Sequence, residues 1–161
     1  MPENLAEEIY RLRQRMEKEL GKENDQHRNI KTGRGGMVDV EFIAQYLQLK
    51  HGKGRPDLQC RNTLDALAVL QSESLISEKD YETLSTGYKF LRRLENKLRL
   101  VHDQSVNELT ADSAYLKKLA RHLGYKESSG HPEQLFQQEY AARTQAIREA
   151  FNRILSCSEN A

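Results

Sequence analysis

Apolar side chains recur along this chain at steps of three and four, the spacing of one helix face, over six separate stretches. The first is predicted at 5–20. Leu5, Ile9, Leu12 and Met16 form its inward stripe, Glu7, Glu8, Arg11, Arg15, Lys18 and Glu19 its solvated face, and Gly21 is placed to end it. A second is predicted at 37–51. A third starts near Asn62, a good N-cap, and carries Leu64, Leu67 and Ala68, with Leu75 beyond its end. The longest is predicted at 77–102, with Ser77 as cap and Asp80 at the capping-box position. Its Tyr81, Leu84, Tyr88, Leu91, Leu94, Leu98 and Val101 are spaced as a bundle seam. The fifth is predicted at 110–122, with Gly124 just past its end. The sixth is predicted at 132–155, opened by Pro132 and lined inward by Phe136, Tyr140, Ile147, Phe151 and Ile154, with Arg143 as the polar exception. No run reads as a convincing strand, 21–36 reads as a polar connection, and the tail at 156–161 is expected to fray. The predicted fold is all-α, a bundle of about six helices around one long central helix, in a single domain over 1–161.

Composition narrows the partners. Hydrophobic residues make up 37% of the 161, charged residues 30%, and mean hydropathy is −0.81, yet the regular apolar spacing argues for a folded domain. Lys and Arg number 25 against 24 Asp and Glu, so the net charge of +1 gives no bulk reason to expect nucleic acid or an acidic membrane. No stretch approaches the ~20 apolar residues of a membrane helix, and the acidic N-terminus lacks a signal-peptide core. Cys60 and Cys157 are expected to be reduced thiols in a cytoplasm. The histidines form no i,i+4 pair and give no zinc signature with the cysteines. His102-Asp103 is an HD dipeptide without the histidines that would accompany it as ligands.

The informative segment is Lys31-Thr32-Gly33-Arg34-Gly35-Gly36, which feeds the second helix. Three glycines in four residues permit unusual backbone conformations and close approach of a ligand. Lys31 and Arg34 supply donors suited to phosphate or carboxylate, and a helix N-terminus follows. The spacing is neither a phosphate-binding loop nor a dinucleotide fingerprint, and the same glycines also suit a purely structural turn. At 100° per residue, Asp39 projects into the middle of an arc made apolar by Phe42, Ile43, Tyr46 and Leu47, while Glu41, Gln45 and Gln48 form the polar stripe. A carboxylate there must meet a cation, a cluster of N–H groups, a metal or a partner surface.

Residues 31–49, from Lys31-Thr32-Gly33-Arg34-Gly35-Gly36 through Val38-Asp39-Val40-Glu41-Phe42, resemble the segment following the nucleotidyltransferase domain of glutamine synthetase adenylyltransferase. Tyr88-Lys89-Phe90-Leu91-Arg92-Arg93-Leu94-Glu95 and Leu119-Ala120-Arg121-His122-Leu123-Gly124-Tyr125 resemble it too, so the likeness spans about 11–153. The resemblance implies a helical accessory domain beside a polymerase-β-like domain whose strand-borne aspartates hold Mg²⁺. The parent enzyme would use ATP and Mg²⁺ to place AMP on a tyrosine of glutamine synthetase. It would answer to glutamine and the PII signal protein, and a second half would remove the AMP. The Val38-Asp39 version of the segment resembles the C-terminal, adenylylating half. This chain lacks a strand-borne Asp-x-Asp, so a fragment without the catalytic aspartates, inactive alone and binding no cofactor by itself, is expected.

The resemblance makes Lys31, Gly33, Arg34, Gly35, Gly36, Asp39 and Glu41 a candidate phosphate-binding or domain-seam site. Arg92, Glu95 and Arg99 form a candidate effector or partner surface, or simply an ion ladder along one helix flank. The alternatives are an effector- or PII-sensing module that relays state between two active sites, and the equivalent domain of the adenylyl-removing half. A related uridylyltransferase that modifies PII is a further reading, in which an HD domain is expected to follow.

Overall fold

A computed structural model of the chain describes residues 4–102 and 107–156. Among them are six α-helices: α1 (Leu5–Met16), α2 (Met37–His51), α3 (Thr63–Ser72), α4 (Glu78–His102), α5 (Ser113–Leu123) and α6 (Pro132–Ser156). The all-α reading therefore holds, with one correction. Two short strands, β1 (His27–Asn29) and β2 (Glu108–Thr110), pair antiparallel with Arg28 opposite Leu109. Thr110, expected to start the fifth helix, belongs to this ribbon, and α5 begins after Asp112, whose side chain accepts from the N–H of Tyr115 at 2.7 Å. Cys157, the tail at 157–161 and Asp103 of the HD dipeptide lie outside the described residues, as do the side chains of Val101 and His102.

Two long helices, not one, organise the core. α4 packs on α2, α3, α5 and α6, and α6 packs on α1, α2, α4 and α5. Leu84, Leu91, Leu94 and Leu98 supply the α4 seam, and Phe136, Ile147 and Phe151 the facing side of α6. Gly87 lets the pair approach, since a Cβ there would lie 2.8 Å from Ile147 Cδ1. Caps fall where the sequence places them. Asn62 accepts from the N–H groups of Leu64 and Asp65, Ser77 exchanges hydrogen bonds with Asp80, and Gly124 takes the left-handed conformation, φ 98°.

The first helix departs from its predicted stripe. Leu12 is 56% exposed, while Arg13 is fully buried. The inward line is Leu5, Ile9 and Arg13, at steps of four. The α-helical pattern stops at Met16 and continues as a wider π turn over Glu17–Gly21, ended by Lys22 in a left-handed conformation. In α6, Arg143 is half-buried beside Glu139 and over the Phe90 ring, and the fully engaged cation is instead Arg148.

Candidate functional site

Asp39 projects into the bundle as the helical wheel requires, and its partners come from the same chain. It is fully buried. Arg13 Nε lies 2.5 Å from Oδ1, and Arg148 Nη1 lies 3.2 Å from Oδ2. The Gly35 N–H donates to Oδ2 at 2.9 Å. Arg148 also pairs with Glu17 at 3.0 Å, and Arg13 donates to the Gly33 carbonyl at 2.7 Å. Two guanidinium groups and two carboxylates thus balance in one buried cluster that ties α1, the glycine turn, α2 and α6 together. Of the four possibilities open for Asp39, cations and an N–H are what it meets.

The glycines serve this junction. A Cβ on Gly35 would overlap the Thr144 carbonyl of α6, and one on Gly33 would overlap the Glu23 carboxylate and the Asn29 carbonyl. Glu23 fixes the turn from outside by accepting from the N–H groups of Asn29 and Arg34, both at 3.0 Å. The start of α2 is closed as well. The N–H groups of Met37, Val38 and Asp39 donate to the carbonyls of Ile30, Lys31 and Gly36 at 3.1 Å each. No first-turn donor of α2 is left to cradle a phosphate, which removes the backbone part of the sequence-based expectation.

What the turn presents outward is charge. Lys31 and Arg34 are exposed, and the Arg34 side chain makes no ion pair among the described residues. Arg34 lines an open cleft of about 440 Å³ with Lys18, Lys22, Glu17, Glu23 and buried Arg148. A second hollow of about 220 Å³ shares Glu23 and Arg34 and runs on past Arg28 to Tyr140 and Thr144 of α6. Burial pushes the Tyr140 phenol well above its usual range, so the tyrosine stays neutral against this cleft.

Residues 3–155 match the family model described as GlnD PII-uridylyltransferase. The chain belongs to that family. Its curated relatives include three bifunctional glutamine synthetase adenylyltransferase/adenylyl-removing enzymes. That of Leifsonia xyli subsp. xyli is 37% identical over 128 residues, 80% of this chain and 13% of that protein. That of Bordetella pertussis is 38% identical over 127 residues, 79% of this chain and 13% of that protein. That of Bradyrhizobium sp. is 40% identical over 98 residues, 61% of this chain and 10% of that protein. The chain spans about a tenth of the length of these relatives. Its likeness to the adenylyltransferases is the one its glycine segment and long helix announce.

The candidate residues separate in this family frame. Gly33, Gly35, Gly36 and Asp39 are internal, while Lys31 and Arg34 face outward. Glu41 lies on another side of α2, where it accepts from the Tyr88 hydroxyl at 3.0 Å. Asp39 and Glu41 therefore do not fit a Mg²⁺ site, because one is enclosed by arginines and the other faces α4, where Tyr88 engages it. Among the described residues, no group of three or more His, Cys, Asp or Glu is arranged to hold a metal. What the segment leaves open to an anion is its outward cations, Lys31 and Arg34. On α4, Glu95 is buried and gathers Arg92 at 2.9 Å and Arg99 at 3.0 Å, which is the ladder reading of that trio. Arg13, Arg148 and Glu17 were not among the candidates. Their signal is positional: Arg13 continues Leu5 and Ile9, and Arg148 continues Tyr140 and Thr144, each at steps of four.

Proposed function

We propose that this chain is the helical accessory domain of a glutamine synthetase adenylyltransferase, set against the nucleotidyltransferase domain so that the Arg34 cleft borders its active site. The parent reaction would transfer AMP from ATP to a tyrosine hydroxyl of glutamine synthetase, with Mg²⁺ held by the neighbouring domain. The names of the curated relatives favour adenylyl over uridylyl chemistry. The Val38-Asp39 pair favours the adenylylating half. The observation that carries the reading is Arg34 itself: an exposed, unpaired guanidinium on a turn whose glycines and neighbours are locked by the Asp39 cluster and by Glu23. A cation held in one place costs little to reorganise when charge develops beside it.

In the full-length enzyme, Arg34→Ala is expected to lower kcat/KM for adenylylation about 10- to 150-fold, the worth of one charge-assisted contact. The same variant should leave the thermal unfolding of the domain unchanged, because Arg34 uses only its backbone N–H internally. An unaltered kcat/KM for both ATP and glutamine synthetase would remove the cleft from the active site. The isolated chain is expected to be catalytically inert. Mixed with ATP, Mg²⁺ and glutamine synthetase it should release no pyrophosphate, and steady turnover would overturn the accessory reading.

A further inference from the structure

α4 carries more cationic charge than the fold engages. Between 89 and 99 it holds five cations, Lys89, Arg92, Arg93, Lys97 and Arg99, against the single carboxylate of Glu95, in a chain whose net charge is +1. Glu95 occupies Arg92 and Arg99, and Arg93 donates to the Leu123 carbonyl at 2.7 Å. Lys89 and Lys97 make no ion pair among the described residues. Lys89, Arg93 and Lys97 stand at i, i+4 and i+8, where like charges weaken a helix. They line a groove of about 530 Å³ against the start of α3, and no carboxylate contributes to its lining. Leu100, at the far end of the groove, is 78% exposed.

We propose that this groove docks an acidic segment of a partner protein, with carboxylates ranged along α4 and an apolar side chain against Leu100. This surface lies apart from the Arg34 cleft and does not depend on the active-site reading. The cations are strung along successive turns, roughly 12 Å from Lys89 to Lys97 at 1.5 Å per residue, rather than converging on one phosphate. The groove offers no open aromatic face for a base, because Tyr88 is buried and its hydroxyl is engaged by Glu41. A segment with acids at helical or extended spacing matches both the length and the sign, and Leu100 supplies the apolar anchor such surfaces need.

The test titrates the whole chain with a fluorescein-labelled peptide of about 15 residues, roughly four helical turns, bearing Glu at every fourth position and Leu at one end. Saturable binding is expected, weakened about tenfold or more by Lys89→Glu with Lys97→Glu, and likewise by raising salt from about 50 to about 300 mM. Leu100→Ser should weaken it as well. Lys53→Glu with Lys126→Glu changes net charge equally at exposed sites elsewhere and should leave affinity within about twofold. Neither reversed lysine has an internal ion pair, so melting temperature should hold in both double variants. The proposal is overturned by absence of saturable binding, by equal loss in the two double variants, or by a labelled single-stranded oligonucleotide binding the groove more tightly than the peptide.

Discussion

Asp39→Ala is expected to cost about 3–5 kcal/mol, the penalty for stranding buried charge. That is a large share of the ~5–15 kcal/mol that holds a domain of this kind together. The substitution removes one small side chain, so a cavity alone would cost less. The damage is that Arg13 and Arg148, both inside the bundle, lose the carboxylate that compensates them, and the Gly35 N–H loses its acceptor. Glu17 remains but is partly solvated, 3.7 Å from Arg13, and cannot neutralise both. Asp39→Asn keeps an acceptor for Gly35 and should fall between. Replacing Asp39, Arg13, Arg148 and Glu17 together by Leu, Met, Met and Gln removes every charge of the cluster and should recover more than half of the loss. Urea unfolding midpoints at constant slope provide the measurement. A loss below about 1 kcal/mol for Asp39→Ala would mean that the cluster is hydrated and loosely held.

The helical spacing in the sequence carries most of the architecture because it is long-range information within one element. Seven apolar positions along α4 outweigh any local ambiguity, and a wheel through α2 is enough to bury Asp39. The ribbon is different in kind. Each strand has three residues, too few for alternation to be read, and the partners are about eighty positions apart. Among the described residues, Ile30, whose N–H donates to the Asn107 carbonyl, and Leu109 are buried apolar signs of it.

In α1 the structure departs from the apolar pattern for a chemical reason. Apolar spacing alone points Leu12 inward, whereas the face it competes for is taken by Arg13, whose charge is needed by Asp39 from another helix. Asp39 in a greasy arc demands a cation somewhere, and a guanidinium at helical spacing from Leu5 and Ile9 is the place to look. The glycine turn was ambiguous on principle. A missing Cβ admits a ligand or a neighbouring backbone equally well, and only the position of α6 decides between them.

Gly35→Ala makes that last point measurable. Gly35 has φ +67°, where an L side chain is strained, and an added methyl would run into the Thr144 carbonyl. Gly54 has nearly the same backbone, φ +76°, with nothing within 4 Å of an added Cβ. Gly54→Ala should therefore cost about 1–2 kcal/mol, the left-handed penalty alone. Gly35→Ala adds the displacement of α6, another ~1–3 kcal/mol for overpacking, for a total of about 2–5 kcal/mol. The difference between the two midpoints isolates the contact between turn and helix, and equal losses would show that α6 does not bear on the turn. Where Gly35→Ala still folds, the overlap is relieved by the turn and α6 moving apart. That carries Arg34 with the turn and loosens the Gly35–Asp39 hydrogen bond that anchors the segment. On the proposed function, the variant should then lose adenylylation in the full-length enzyme by at least as much as Arg34→Ala, while Gly54→Ala loses stability and retains activity.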